Sequence, residues 1–126
     1  MKAPMLLALA ALSISTAQAA EPTGTLTLAC QGTVTGTGTE EKPKPISMGI
    51  IVNFTNRTVQ GFDVLAQVTA VDNVVITFNR SNSPFLDGRI DRVTGLLQAG
   101  YLVMSGNKVT IAQNYTLKCT PAQRKF

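Results

Sequence analysis

Apolar and polar residues alternate with a period of two through most of the chain beyond residue 24, the repeat of a strand with one face in a core and the other toward water. In 25–35, Leu26, Leu28, Cys30 and Val34 share one face, with Thr and Gln opposite. In 46–54 the shared face is Ile46, Met48, Ile50, Val52 and Phe54, and in 109–119 it is Val109, Ile111, Tyr115, Leu117 and Cys119. Further runs at 58–62 (disturbed at Gly61), 65–71, 74–78, 85–92 and 96–104 bring the expected number of strands to eight. Turn residues stand between them. Thr55-Asn56-Arg57 predicts a tight turn, and Asp72-Asn73 a two-residue hairpin turn with both residues at positive φ. Asp91 opens a longer turn that Gly95 closes in the left-handed region, and Ser105-Gly106-Asn107-Lys108 forms another. The Thr-Gly repeat and the Lys-Pro-Lys-Pro that follow the first strand read as a loop over 36–45, and 80–84 reads as a second loop.

Composition supports this all-β reading. The chain after residue 19 holds 15 Thr, 11 Val and 6 Ile, a β-branched excess that disfavours helix and suits a pleated surface. The first 19 residues differ in kind. Met1-Lys2 is a basic start, 5–12 is an apolar run, and Ala17-Gln18-Ala19 offers the small residues of a cleavage site. This is the pattern of a secretory signal peptide, too short for a membrane span. It predicts one β-domain over 20–126, exported to the periplasm or the medium. In that setting the two cysteines, Cys30 and Cys119, read as a disulfide. A bridge between first and last strands implies an antiparallel meander rolled shut as a small barrel or flattened barrel, with a two-sheet sandwich as the alternative.

The chain has no His and no Trp. Histidine-based catalysis and the His-containing zinc sites are therefore excluded. Asp87 and Asp91 share a strand face but stand roughly 13 Å apart by the strand rise, too far for paired acid/base work on a glycoside. No catalytic set, cofactor fingerprint or metal-ligand cluster is expected, and the protein is read as not an enzyme. Removing Lys2 with the signal lowers the formal charge from +4 to +3, scattered rather than striped, so no nucleic-acid partner is expected. Three roles remain. The first is a non-enzymatic binding or structural domain. The second is a carrier of a small apolar ligand inside the barrel, which requires that Phe54, Phe78, Phe85 and Tyr115, all read as inward, leave an apolar cavity above ~300 Å³. The third is a protein inhibitor or adaptor that docks through its turns.

Run 96–104 carries apolar residues in both phases. Leu97, Ala99, Tyr101 and Val103 alternate with Leu96, Leu102 and Met104, whereas a strand facing water on one side alternates with polar residues. No helix is available to cover the second set. Leu96, Leu102 and Met104, with the adjoining Ser105-Gly106, form the candidate interaction surface for a homodimer or a protein partner.

Three segments together carry a resemblance: Cys30-x-Gly32 with its Thr-rich continuation, the run from Gly88 to Gly95 (GRIDRVTG), and Tyr115-x-Leu117-x-Cys119-x-Pro121-x-x-Arg124-x-Phe126. They resemble a group of small exported proteins of Gram-negative alphaproteobacteria, a likeness that implies export and brings no activity with it. Ser105-Gly106 and the Tyr before a Cys are also similar to features of periplasmic lysozyme inhibitors. That resemblance implies a disulfide-bearing β-barrel whose Ser-Gly loop enters the lysozyme cleft. This chain departs from the pattern twice: Asn107-Lys108-Val109 follows the Ser-Gly where an aromatic is expected, and Tyr115 precedes Cys119 by four residues instead of two.

Overall fold

The computed structural model describes residues 23–36 and 42–122. The signal-peptide reading of 1–19 and the tail segment 123–126 lie outside them. Among the described residues all eight elements are strands: β1 (Thr25–Gly36), β2 (Lys44–Asn53), β3 (Thr58–Gln60), β4 (Ala66–Val71), β5 (Val75–Arg80), β6 (Phe85–Asp91), β7 (Leu96–Ser105) and β8 (Lys108–Pro121). Each pairs antiparallel with the next, and β8 returns to β1, so the meander closes into a barrel and the sandwich alternative falls away. Closure removes the two edges that an open sheet of this size would leave.

The disulfide sits on the closing seam. Cys30 and Cys119 are direct cross-strand partners in the β1–β8 ladder, with Cα atoms 4.0 Å apart. Both point into the lumen, 3% and 5% exposed. Alternation along each strand puts Leu28, Ile50, Val52, Ile76, Phe78, Leu86, Leu97 and Leu117 inside. The outer wall is largely Thr, Gln, Asn, Asp and Arg, the inverse of a barrel built to face lipid.

Lateral neighbours in the lumen alternate large and small. Phe78 pairs with Gly88, Gly88 with Ala99, and Ala99 with Tyr115. A Cβ on Gly88 would collide with the Phe78 ring and stand 3.1 Å from the Ala99 Cβ, so the missing side chain is what gives the ring its place. The weakest wall is β3, which pairs with β4 only at Thr58↔Gln67 and Val59↔Ala66. Phe62, just beyond it, covers this gap. It is 3% exposed and reaches the Phe78 ring at 6.0 Å and the Tyr115 ring, edge-on, at 5.3 Å.

Several local expectations need correction. The β4–β5 connection is Asp72–Val74 rather than a two-residue turn, and neither Asp72 nor Asn73 has positive φ. The Asp72 carboxylate instead accepts the amides of Val74 (2.7 Å) and Val75 (2.8 Å), which shapes the turn without a left-handed residue. β2 begins at Lys44, inside the expected loop, and β5 continues through Arg80, which pairs with Leu86. Phe85 faces outward, because its neighbour Leu86 takes the lumen position at 1% exposure. A bulge at the β7–β8 hairpin pairs Val103 with Ile111 but Met104 with Val109. The extra residue, Thr110, shifts Val109 to the outer face, away from Ile111, Tyr115, Leu117 and Cys119. By contrast, the Asp91–Gly95 turn is as expected: Gly95 has φ 82°, its N–H donates to the Asp91 carbonyl, and its own carbonyl accepts from Cys119.

Candidate binding surfaces

The lumen is occupied by side chains. Among the described residues, the end carrying the β4–β5 and β6–β7 turns holds a crevice of about 220 Å³, walled by Leu26, Leu28, Ile76, Ile90 and Cys119. That is below the ~300 Å³ at which small-molecule sites begin. Arg92 crosses this end, its guanidinium carbon 5.9 Å from the Phe54 ring centre and its Nη1 donating to the Asp72 carbonyl at 2.6 Å. Two carboxylates hold the adjoining turns. Asp91 accepts the amides of Val93 (2.9 Å) and Thr94 (3.0 Å), and these bonds, Thr94 foremost, hold its carboxyl below the usual range. Asp72 is lowered likewise, first by the Val75 amide, then by Val74, with Arg92 adding to the effect.

At the opposite end the β7–β8 hairpin runs past its neighbours. The last β6 partner is Phe85, opposite Leu102, and the last described β1 partner is Gly36, opposite Gln113. Beyond those rows stand Val103, Met104, Val109 and Ile111. Met104 is tied to the 81–84 connection through Ser83: its N–H donates to Ser83 Oγ at 3.0 Å, and its carbonyl accepts the same hydroxyl at 3.3 Å. Val109 and Ile111 remain 54% and 45% exposed. Val103 and Ile111 lie in the inward phase, and Leu102, Met104 and Val109 in the outward phase, so this segment is apolar on both faces. Ser105 and Gly106 form its exposed tip. Just inside the same mouth, Tyr115 donates to Gln113 Oε1 at 3.1 Å. Burial pushes its phenol up, and Tyr101 and Asp63 add to the shift.

The five candidate surface residues therefore do not form one strip. Leu102, Met104, Ser105 and Gly106 gather at the hairpin end. Leu96 lies six residues from Leu102 along β7, roughly 20 Å by the strand rise, beside Lys118 at the other end. Gln98 and Gly100 separate them on the same outer face. Sequence reasoning missed Phe85, the outward neighbour of Leu102, and missed Val109 because the bulge is invisible to a period-two count.

Between the two ends, the outer wall of β5–β8 forms an open trough of about 450 Å³. Two lateral rows line it. Asp87, Gly100 and Asn114 are consecutive partners across β6–β7–β8, and Arg89, Gln98 and Thr116 form the row beside them. Gly100 is a notch between Asp87 and Asn114. None of the five side chains makes a hydrogen bond or salt bridge to another described residue. The field of Arg89 reaches Asp91 only as a minor contribution to its lowered pKa. Among the described residues no group of three or more His, Cys, Asp or Glu is placed to hold a metal ion, and no helix is long and apolar enough to cross a membrane.

These features define a class: a small eight-stranded antiparallel barrel, disulfide-sealed, with a filled lumen and its free polar and apolar groups outside. No protein-family model, curated protein or solved structure matches the chain.

Proposed function

We propose that this is an exported, non-enzymatic binding domain that docks a protein partner through the outer end of its β7–β8 hairpin. The observation that carries this reading is the hairpin itself, where the exposed Val109 lies in the outward phase and the exposed Ile111 in the inward phase, so that apolar side chains stand on both faces. A flat interface covers one face of a ribbon. Covering Ile111 and Val109 together takes a cleft, so the partner is a protein with an apolar cleft that admits a two-stranded ribbon. The exposed Ser105-Gly106 tip suits entry into such a cleft and is the one feature that favours an inhibitor of a cleft-bearing enzyme over an adaptor. The disulfide is consistent with an oxidising compartment, and export follows from the signal-peptide reading. The absence of histidine from the sequence supports a non-enzymatic role. The carrier reading is weaker, because the crevice at the lumen end is smaller than such a ligand needs.

A photo-crosslinking residue placed at Val109 and, as a control at the opposite end of the barrel, at Thr27, beside the last residues of β8, tests this in cells producing the protein. A discrete adduct to one protein from Val109, and none from Thr27, is the expected result. Adducts from Thr27 alone, or from neither position, would overturn the assignment.

A further inference from the structure

The trough on the β5–β8 wall is separate from the hairpin end, and it holds five hydrogen-bonding side chains that the fold itself does not use. Their chemistry narrows what would fill it. Asp87 offers acceptors only, Arg89 donors only, and Gln98, Asn114 and Thr116 both. The formal charges of Asp87 and Arg89 cancel. An anionic ligand would bring its charge against Asp87, and a cationic one against Arg89. An apolar ligand would strip water from all five groups and leave them unpaired, which disfavours it. Nucleic acid would find no aromatic platform and no basic stripe. A ligand carrying many hydroxyls, each both donor and acceptor, meets every one of these side chains without a charge of its own.

We infer that the Asp87–Gly100–Asn114 and Arg89–Gln98–Thr116 rows form a binding site for a neutral sugar or oligosaccharide. Gly100 sets the depth: with no side chain between Asp87 and Asn114, a ring can approach the strand backbone while the flanking carboxylate and amide reach its hydroxyls. The trough is a shallow, open feature of the outer wall. Its openness to water makes the binding weak and reversible.

The same glycine supplies the test. A Cβ at Gly100 would meet only Asn114 Oδ1, at 3.6 Å, and its φ is not positive, so Gly100→Leu blocks the notch without straining the strand. The isolated oxidised protein is titrated with cellobiose, maltose and N,N′-diacetylchitobiose while the side-chain amide resonances are followed by NMR. At least one disaccharide is expected to shift Gln98 and Asn114 and leave Gln60 and Gln67, on β3 and β4, in place. Gly100→Leu should abolish the shift, and Asn114→Ala should weaken binding about tenfold, the equivalent of one good hydrogen bond. Unchanged Gln98 and Asn114 resonances with all three sugars would overturn the proposal. So would shifts that survive both substitutions, or inorganic phosphate moving the same resonances at lower concentration than any sugar.

Discussion

Replacing Gly95 by alanine tests how the disulfide seam and the β6–β7 turn are joined. Gly95 has φ 82°, where an L-residue costs roughly 1–2 kcal/mol. A second cost comes from the surroundings. A Cβ at this position would lie 2.5 Å from the carbonyl oxygen of Cys119. That oxygen cannot retreat freely. The Cys119 N–H donates to the Gly95 carbonyl at 2.8 Å, and the Cys119 side chain is bonded to Cys30. Overpacking against a backbone held in this way costs about 1–3 kcal/mol. The total expected for Gly95→Ala is therefore about 2–5 kcal/mol, a substantial part of the ~5–15 kcal/mol that holds a domain of this size.

Gly24 separates the two contributions. Its φ is 81°, almost the same, but nothing lies within 4 Å of where its Cβ would be. Gly24→Ala should therefore show the left-handed cost alone. Urea unfolding of the oxidised proteins, with equal m-values, gives both numbers. The expected excess for Gly95→Ala is at least ~1 kcal/mol. Equal destabilisation of the two variants, within about 0.5 kcal/mol, would refute the claim that the turn is packed against a seam that cannot yield.

The disulfide closes a span of 89 residues, so the Cys30→Ser/Cys119→Ser double variant should lose roughly 4–5 kcal/mol in the chain-entropy model and unfold at markedly lower urea. Gly88→Ala should cost about 1–3 kcal/mol through the Phe78 ring, and a Gly88→Ala/Phe78→Leu double variant should recover part of it; no recovery would mean that the lumen is not close-packed there. Asp72 and Asp91 have folded pKa values below the ordinary 3.8, so the stability they supply is present above about pH 4 and lost as pH falls through the lower folded values. Melting temperatures between about pH 5 and pH 2 should fall less steeply for Asp91→Asn than for the unaltered protein. A second copy is the rival occupant of the hairpin, and light scattering at ~100 μM, a concentration that reveals weak association, should show a monomer; a dimer that Val109→Lys abolishes would assign the hairpin to self-association instead.

The barrel was legible in the sequence because two independent signals agreed. Period-two alternation marked the strands, and Cys30 and Cys119 fell in the first and last of them, so a bonded pair pointed to a sheet that meets itself, with the two-sheet sandwich the alternative that the β1–β8 ladder removes. The Asp91–Gly95 turn was legible for a local reason: an Asp carboxylate and a glycine four residues on are enough to define it. What failed was set by neighbours rather than by the segment. The Asp72 turn was misread because Asn73 tolerates positive φ but does not adopt it here, where the Asp72 carboxylate already engages both following amides. Val109 was placed on the wrong face because a bulge changes the phase without changing composition.

The candidate surface shows the same limit. Leu96, Leu102 and Met104 share a phase on one strand, and phase says that residues point the same way, not that they touch. Whether they form a patch depends on what the adjacent strands place beside them. Here β6 and β8 set Phe85 and Ala112 beside Leu102 but Lys118 beside Leu96. The polar trough has the same origin. Asp87, Asn114 and Gly100 come from three strands and look like ordinary solvent-facing residues when read one at a time. Only the register across β6, β7 and β8 puts a glycine between a carboxylate and an amide, and register is fixed by the turns and the closing seam together. Sites built across strands are thus the part of a barrel that a single sequence hides most thoroughly, while sites built along one strand or turn stay readable.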